Sequence, residues 1–428
     1  MIIKNFEELD TCHGKHLALE ILESGLRAAL PKSMIPKFVH KNQIIIGKNT
    51  KNLSKYGQIF VVAFGKAADS MTLEVDSLTR ISGGIVVIPK GYDSVLKTKN
   101  FEIVYSGHPI PNKNSVMAAK KIIKFLKERK ENDLVIFLVS GGGSSLVSLP
   151  DGITLDEKQT VTNLLIKSGA SIDEINCVRK HLSKVKGGKV LDHLKCDAIS
   201  LVMSDVIGDD ISSIASGTTF FDNTTFWDAH KVLKKYNLLQ SVPSSVLKHL
   251  NFGIKKKIPE TPKQPKIKNH IIATNKNCLY AMEEKLKSFG LTGKVIYPIS
   301  GDVRQTANYL AKSVVNAKNK SYIIFGGEPT VKVTGTGKGG RNQELVLYLL
   351  RNLQKINQEI IIASIGTDGK DGNTDACGAL LSSKTKFDQA KKFLQNNNSY
   401  CFLKKQKNLI FTGSTHTNLM DVGILLRR

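Results

Sequence analysis

Leu134-Val-Ile-Phe-Leu-Val139 is an unbroken apolar run that leads straight into Ser140-Gly-Gly-Gly-Ser-Ser145. A strand with one wet face alternates apolar and polar residues, so a continuous run describes a strand covered on both faces. Three successive glycines let backbone N–H groups approach an anion closely, and a helix starting after them adds its positive dipole end. A tight turn could have the same composition, but glycines flanked by hydroxyls suit a phosphate better. The stretch predicts a buried strand, a phosphate-sized turn at its carboxyl end, and a helix.

The same alternation runs through the chain. Strands are expected at 58–65, 84–89, 133–140, 196–204, 270–274, 295–298, 321–326, 360–365 and 408–412. Helical periodicity is expected at 16–29, 115–127, 276–289, 305–315 and 342–353. Strands alternating with helices imply an α/β fold with parallel sheets, whose ligands bind at the carboxyl ends of the strands. A chain of 428 residues should hold two or more domains. The stretch 251–269, rich in Lys and Pro and without period, reads as a connection between a domain at 1–250 and a C-terminal region at 270–428.

The formal net charge is +25. That field favours anionic partners, but the basic residues are scattered and no aromatic-studded basic block is present, so nucleic acid is not expected as a partner. Six widely spaced cysteines without a C-x-x-C pair argue for reduced thiols and against a zinc site. No apolar stretch is long enough to span a bilayer, and the acidic N-terminus does not resemble a signal peptide. A cytoplasmic location without membrane association is the expectation, and the oligomeric state stays open, a homodimer included.

Polar motifs recur just after the apolar runs. Gly65-Lys66 closes the first strand, and a lysine there could meet a phosphate as a point charge. In 175–188, Ile175, Val178, Leu182 and Val185 form a helical stripe, with Asn176, Arg179, Lys180, Ser183 and Lys186 opposite, then Gly187-Gly188. That polar side is either solvated or a seat for an anion. Asp205 and Asp209 follow the run ending at 203 and are candidates to hold Mg²⁺ through a carboxylate and waters. No Walker A sequence exists. Gly335-x-Gly337-x-x-Gly340 matches a dinucleotide fingerprint as a string, but such a site needs an acid about 20 residues on; Asp368 stands 28 beyond Gly340. Arg341, framed by glycines at a helix start, better suits a fork for carboxylate or phosphate. Asp368, at a strand tip, is a candidate general base.

Together the motifs resemble the type II glycerate kinases, whose C-terminal part is the MOFRL domain. The matching stretches are GKAADSM (65–71), GHPIPN (107–112), SGGGSSL (140–146), NCVRKHLSKVKGG (176–188), SDVIGDDISSIASG (204–217), GGEPTV (326–331), GKGGRNQEL (337–345), GTDGKDGNTDACG (366–378) and THTNLMD (415–421). The resemblance implies a larger Rossmann-like parallel-sheet domain and a smaller α/β MOFRL-type domain at about 320–428, with the active site in the cleft between them. It implies transfer of phosphate from ATP, with Mg²⁺, to D-glycerate, giving 2-phosphoglycerate. Lys66, Asp205, Arg341 and Asp368 would be catalytic, and Asp205 with Asp209 would hold the metal. Ser140, Gly141, Gly142, Gly143, Ser144, Lys186, Gly187 and Gly188 would bind nucleotide phosphates. Asn176, Arg179, Glu328, Asn342 and Asn418 would bind substrate. The sequence departs from the family pattern at Asn112, usually Asp; at Thr218 and Asn373, often Pro; and at His416, usually Gly. The alternative reading is an NAD(P)H-dependent hydroxypyruvate reductase.

Overall fold

The computed structural model describes residues 1–317 and 321–427. Chain contacts divide it into a unit spanning Ile35–Ile272 and a second joining Met1–Met34 to Ala273–Arg428.

The first unit begins with a small antiparallel sheet, β1 (Val39–His40), β2 (Gln43–Ile46) and β3 (Asn49–Asn52). Its main sheet contains β4 (Ile59–Phe64), β5 (Gly83–Pro89), β6 (Phe101–Ser106), β7 (Leu134–Val139), β8 (Asp197–Met203) and β9 (Lys268–Ala273), in the order β6-β5-β4-β7-β8-β9. Pairings from β6 across to β8 are parallel. The chain starts at β4, builds outward through β5 and β6, and returns to place β7 on the other side of β4. The carboxyl ends of β4 and β7 therefore flank the point where strand order reverses, the usual ligand crevice of an open α/β sheet. Both strands are buried at every residue, as their continuous apolar runs require.

Helix Lys113–Lys127 covers this sheet with Ala118, Ala119, Ile122 and Leu126. Asn112 caps it, its side chain accepting from the Asn114 and Ser115 N–H groups, so the Asn found there still performs an N-cap role. Helices Leu155–Lys167, Ile172–His181, Phe226–Lys235 and Ser244–Ile254 share a separate core around Val178, Phe226 and Leu233.

The second unit holds β10 (Thr292–Asp302), β11 (Ser321–Thr330), β12 (Ile360–Gly366), β13 (Gly378–Ser382), β14 (Leu409–Ile410) and β15 (Asp421–Arg427), in the order β10-β11-β15-β12-β13-β14. The expectation of parallel sheets fails here. Only the β10–β11 pair is parallel; β15 inserts between β11 and β12 and runs antiparallel to both. The sequence reading placed no strand at 421–427, although it supplies the centre of this sheet.

Domain boundaries also differ from 1–250, 251–269 and 270–428. Helix His13–Ala29 packs on helix Asn275–Ser288, so the first 34 residues join the C-terminal unit. Gly25 makes that approach possible, since a Cβ there would lie 2.9 Å from the Met282 side chain. The stretch 251–269 is not a loose connection. It contains the end of helix Ser244–Ile254 and the start of β9. Its Glu260 carboxylate accepts from the Phe226 N–H at 2.9 Å, and Thr261 is buried. Among the described residues no helix is long and apolar enough to cross a membrane, and all six cysteines are free.

Candidate active site

At the switch point, the turn after β7 and the turn after β4 are joined by hydrogen bonds. The Lys66 N–H donates to the Gly141 carbonyl at 2.8 Å, and the Ala67 N–H donates to Ser140 Oγ at 3.0 Å. Gly65 has to be glycine, because with φ at +134° its Cβ would sit 2.0 Å from Ser140 Oγ. Gly142 has φ at +84°, and a Cβ there would lie 2.9 Å from the His108 ring and 3.5 Å from Lys66 Cγ. The Lys66 stem and the His108 imidazole thus border the same glycine. Among the described residues, no backbone carbonyl accepts from the Gly141 or Gly142 N–H. The expected helix after the turn is a single turn, Gly143–Leu146, so its dipole contributes little and the local N–H groups carry the cradle.

A hydroxyl chain extends from this cradle. Ser216 Oγ donates to Asn176 Oδ1 at 3.0 Å, so Ser144 Oγ, 2.8 Å from Ser216 Oγ, is the donor in that second contact. Ser216 and its neighbour Ala215 hold left-handed backbones at φ 54° and 49°, followed by Gly217 at 62°. Such strain costs about 1–3 kcal/mol per non-Gly residue and tends to gather at functional sites. Thr218 Oγ1 donates to the Ala215 carbonyl at 2.8 Å and holds this turn.

The segment 175–188 is not one helix. It stops at His181, and Gly187 and Gly188 follow with positive φ. Ile175, Val178, Leu182 and Val185 are buried as expected, but Asn176, Lys180, Ser183 and Lys186 are buried as well, so the polar side is not a solvated face. Lys180 Nζ lies 3.4 Å from buried Asp222. Lys186, fully buried, donates from Nζ to the Val147 and Ala215 carbonyls. It braces the loops that carry Ser144 and Ser216, where a phosphate contact was expected, and desolvation pushes its pKa well below the usual lysine range. Gly187 and Gly188 donate to the Ser216 and Gly217 carbonyls, so their N–H groups hold the same turn. Arg179 is half-buried, and desolvation lowers its pKa to about 10.

Asp205 and Asp209 lie on the loop after β8. Asp209 Oδ1 is buried without a hydrogen-bond partner among the described residues, which suits an oxygen reserved for a cation. No group of three or more His, Cys, Asp or Glu residues among the described residues forms a metal cage. The pair therefore fits Mg²⁺ only in its usual manner, with one or two carboxylates completed by water and substrate phosphates.

The second unit carries the remaining candidates. Arg341 donates from Nε to Asp421 Oδ2 at 2.5 Å and from Nη2 to Oδ1 at 3.0 Å, while Nη1 meets Glu328 at 2.7 Å. Burial alone would lower its pKa, but the two carboxylates reverse this and raise it above the ordinary arginine value. The fork expected to grip a ligand is held by Asp421. Asn342, expected to touch substrate, is fully buried between Asp371 and the Ser364 hydroxyl. Asp368 is half-buried; its Oδ1 accepts from the Lys370 N–H at 3.1 Å. A Cβ on Gly366 would lie 3.2 Å from Asp368 Oδ1 and 3.4 Å from Asp421 Oδ1, so both carboxylates border that glycine. Asn418 is half-buried, and His416 adopts φ 51°, the left-handed region that glycine takes most readily.

Asp371 closes the start of helix Arg341–Leu353. Its carboxylate accepts from the Asn342 and Gln343 N–H groups at 3.0 and 2.9 Å. Burial lifts its pKa to about 6 against the opposing effect of those donors. The Gly335 and Gly337 N–H groups donate to Asn397 Oδ1 and the Asn396 carbonyl. The dinucleotide-like string is therefore a packing motif, with no helix N-terminus left open to a pyrophosphate.

Sequence reading missed His108, Ser216, Asp371 and Asp421. All four lie inside the quoted motifs, but only their partners in space give them meaning. A groove of about 610 Å³ lined by Lys51, Tyr56 and Asp197 lies at the amino-terminal edge of the first sheet, where Asp197 begins β8. It is remote from the strand ends that carry this chemistry.

Strand order and a glycine turn at the reversal point mark a doubly wound α/β protein, a class whose ligands bind at the carboxyl edge of the sheet. Residues 17–251 match a family described as a domain of unknown function (DUF4147), and residues 321–421 match the MOFRL family. The chain is 35% identical to the glycerate 2-kinase of Pyrococcus horikoshii, over 96% of this chain and 97% of that one. It is 36% identical to the D-glycerate 2-kinase of Thermotoga maritima, over the same shares of the two chains. The crystal structure of glycerate kinase from Thermotoga maritima superposes with a TM-score of 0.81 at 35% identity, covering 96% of this chain and 99% of that one. The chain belongs to the glycerate 2-kinase (MOFRL) family of enzymes.

Proposed function

We propose that this chain transfers the γ-phosphoryl group of ATP to the 2-hydroxyl of D-glycerate, releasing 2-phosphoglycerate and ADP. The observation that carries the reading is the switch-point cradle. There the Gly141 and Gly142 N–H groups, which have no backbone acceptor, lie beside Lys66 and the Ser144–Ser216–Asn176 chain. Phosphoryl transfer asks mainly for positioning and charge stabilisation, and this arrangement supplies fixed donors and a cation. In the transfer, the glycerate hydroxyl oxygen bonds to the γ-phosphorus as the bond to the β-phosphate oxygen breaks. The hydroxyl proton passes to Asp368, and ADP leaves with the bonding electron pair. Lys66 balances charge on the phosphates, and Asn176 with Arg179 meets the substrate's anionic end. Arg341, fixed by Asp421, acts as an immobile cation. When bound, Mg²⁺ would be held by Asp205 and Asp209 and would screen the phosphate oxygens.

The test is direct. Purified protein incubated with ATP, Mg²⁺ and D-glycerate should give a 2-phosphoglycerate signal by phosphorus NMR. A 3-phosphoglycerate signal would overturn the regiochemistry. No phosphorylated product from folded protein, with NADH oxidised on hydroxypyruvate, would replace the kinase reading with the reductase.

A further inference from the structure

We propose that Lys158 is a further ligand-binding residue of the first unit, donating its ammonium to a carboxylate or phosphate group held beside Arg179. Lys158 lies on helix Leu155–Lys167 on the same face as Val161 and Leu165, and it is 4% exposed. A lysine on the buried stripe of a helix is rarely tolerated unless its ammonium meets an anion or acceptors. Its Nζ has no hydrogen-bond partner among the described residues, and none of their carboxylates pairs with it.

Its cationic neighbours separate into two kinds. Lys180 pairs with Asp222. Lys186 donates to the Val147 and Ala215 carbonyls, and Lys189 to the Ser183 carbonyl at 2.9 Å. Each of these ammonium groups is accounted for inside the fold, whereas Lys158 is not. Arg179 acts electrostatically on both Lys158 and Lys186, and Lys158 on Lys186, each cation disfavouring charge on the other. Arg179 follows Asn176 by one helical turn, which sets the two on one face. Asn176 in turn holds Ser216, and Ser216 holds Ser144. The unpartnered ammonium thus feels the charge of Arg179, which lies one helical turn from the Asn176 that ends the hydroxyl chain.

Asp151 opposes this positive charge at Lys158, while Arg179 and Lys189 add to it. Asp151 is itself shared, with Lys184 and His249 each 3.9 Å away. Desolvation first, then those two cations, lowers the Lys158 pKa to about 7. A bound anion favours the charged ammonium and raises its pKa again, so binding near neutral pH draws a proton to Lys158.

The inference deepens the kinase reading, but its test does not depend on turnover. The full chain is titrated calorimetrically with inorganic phosphate and, separately, with D-glycerate, at pH 7.5 in two buffers of different ionisation enthalpy. Wild type should bind at least one of the two with net proton uptake, and the one it binds tells a phosphoryl site from a carboxylate site. Lys158→Met should weaken that binding by roughly tenfold or more, the scale of a hydrogen bond to a charged group, and abolish the uptake. Lys158→Arg should keep affinity within a few fold while also abolishing the uptake, because a guanidinium is always protonated. Unliganded Lys158→Met should melt no lower than wild type, since it loses an unpaired buried charge. Unchanged affinity in folded Lys158→Met, uptake that persists in Lys158→Arg, or no binding of either anion by wild type would each overturn the proposal. A chain that binds phosphate through Lys158 but phosphorylates no glycerate would retain this inference and sink the kinase reading.

Discussion

Replacing Asp421 by Asn tests whether Arg341 is committed inside the fold. Asp421 is 1% exposed and takes both the Nε and Nη2 bonds of Arg341. It opens β15 and sits opposite Gly327 of β11 and Gly366 of β12, so its loss falls at the centre of the sheet. Breaking a buried ion pair from one side costs about 3–5 kcal/mol. The Arg341 side chain is 33% exposed and keeps Glu328, which places the expected loss near the lower end, about 3 kcal/mol. For a unit of this size each kcal/mol lowers Tm by about 2–4 °C, giving a fall of roughly 6–12 °C. Thermal unfolding by circular dichroism at low and high salt measures it, and the shift should vary little with salt because the pair is shielded. Arg341→Met combined with Asp421→Asn should lose less than the two single losses added together, since the second change removes a charge already stranded. A folded Asp421→Asn protein melting within 2 °C of wild type would refute the argument, because the Arg341 fork would then not depend on this carboxylate.

Other outcomes follow from the same geometry. Lys66→Ala and Arg341→Ala should each lower glycerate-dependent turnover by orders of magnitude with circular dichroism unchanged for Lys66→Ala; near-normal turnover in both would remove them from the mechanism. Gly340→Ala should cost about 1–3 kcal/mol as an overpacked site, because its Cβ would lie 2.3 Å from Asp371 Cγ; urea unfolding reads the loss. Glu260 is held at a pKa of about 2: burial raises it, and hydrogen bonds from His181 and Phe226 more than reverse that. Its stabilising contribution is therefore complete above the unfolded value near 4.5 and disappears as pH falls through about 2. The Tm gap between wild type and Glu260→Gln should be widest above pH 5 and close as pH approaches 2. His416→Gly should raise Tm slightly by releasing a left-handed backbone, and a lower Tm would mean that contacts of the imidazole outweigh that strain.

Legibility in the sequence followed the range of the interaction involved. Fully buried strands such as β4 and β7 announce themselves by composition, because every residue in them must exclude water. The glycine turns after them were legible for the same local reason. The C-terminal strand β15 was not read as a strand at all, and its insertion between β11 and β12 pairs it with segments roughly 100 residues away (β11) and roughly 60 residues away (β12) in the chain. Arg341 had the right neighbours for a ligand fork, yet its partner Asp421 lies 80 positions away. Lys158 drew no comment in the sequence, and only its 4% exposure sets it apart from a solvated lysine.

The sequence by itself determined the α/β class and the strands of the first unit's main sheet other than β6 (Phe101–Ser106), because these depend on spacing between near neighbours. Only the tertiary structure decided that the first 34 residues belong with the C-terminal unit, that the second sheet is mixed, and that Asp371 closes the Gly335–Gly340 helix start. It also decided which cations are neutralised internally, and that Lys158 Nζ is buried with no hydrogen-bond partner among the described residues. Each of those outcomes is a pairing between distant segments, and pairing energy depends on burial and distance, which no local pattern encodes.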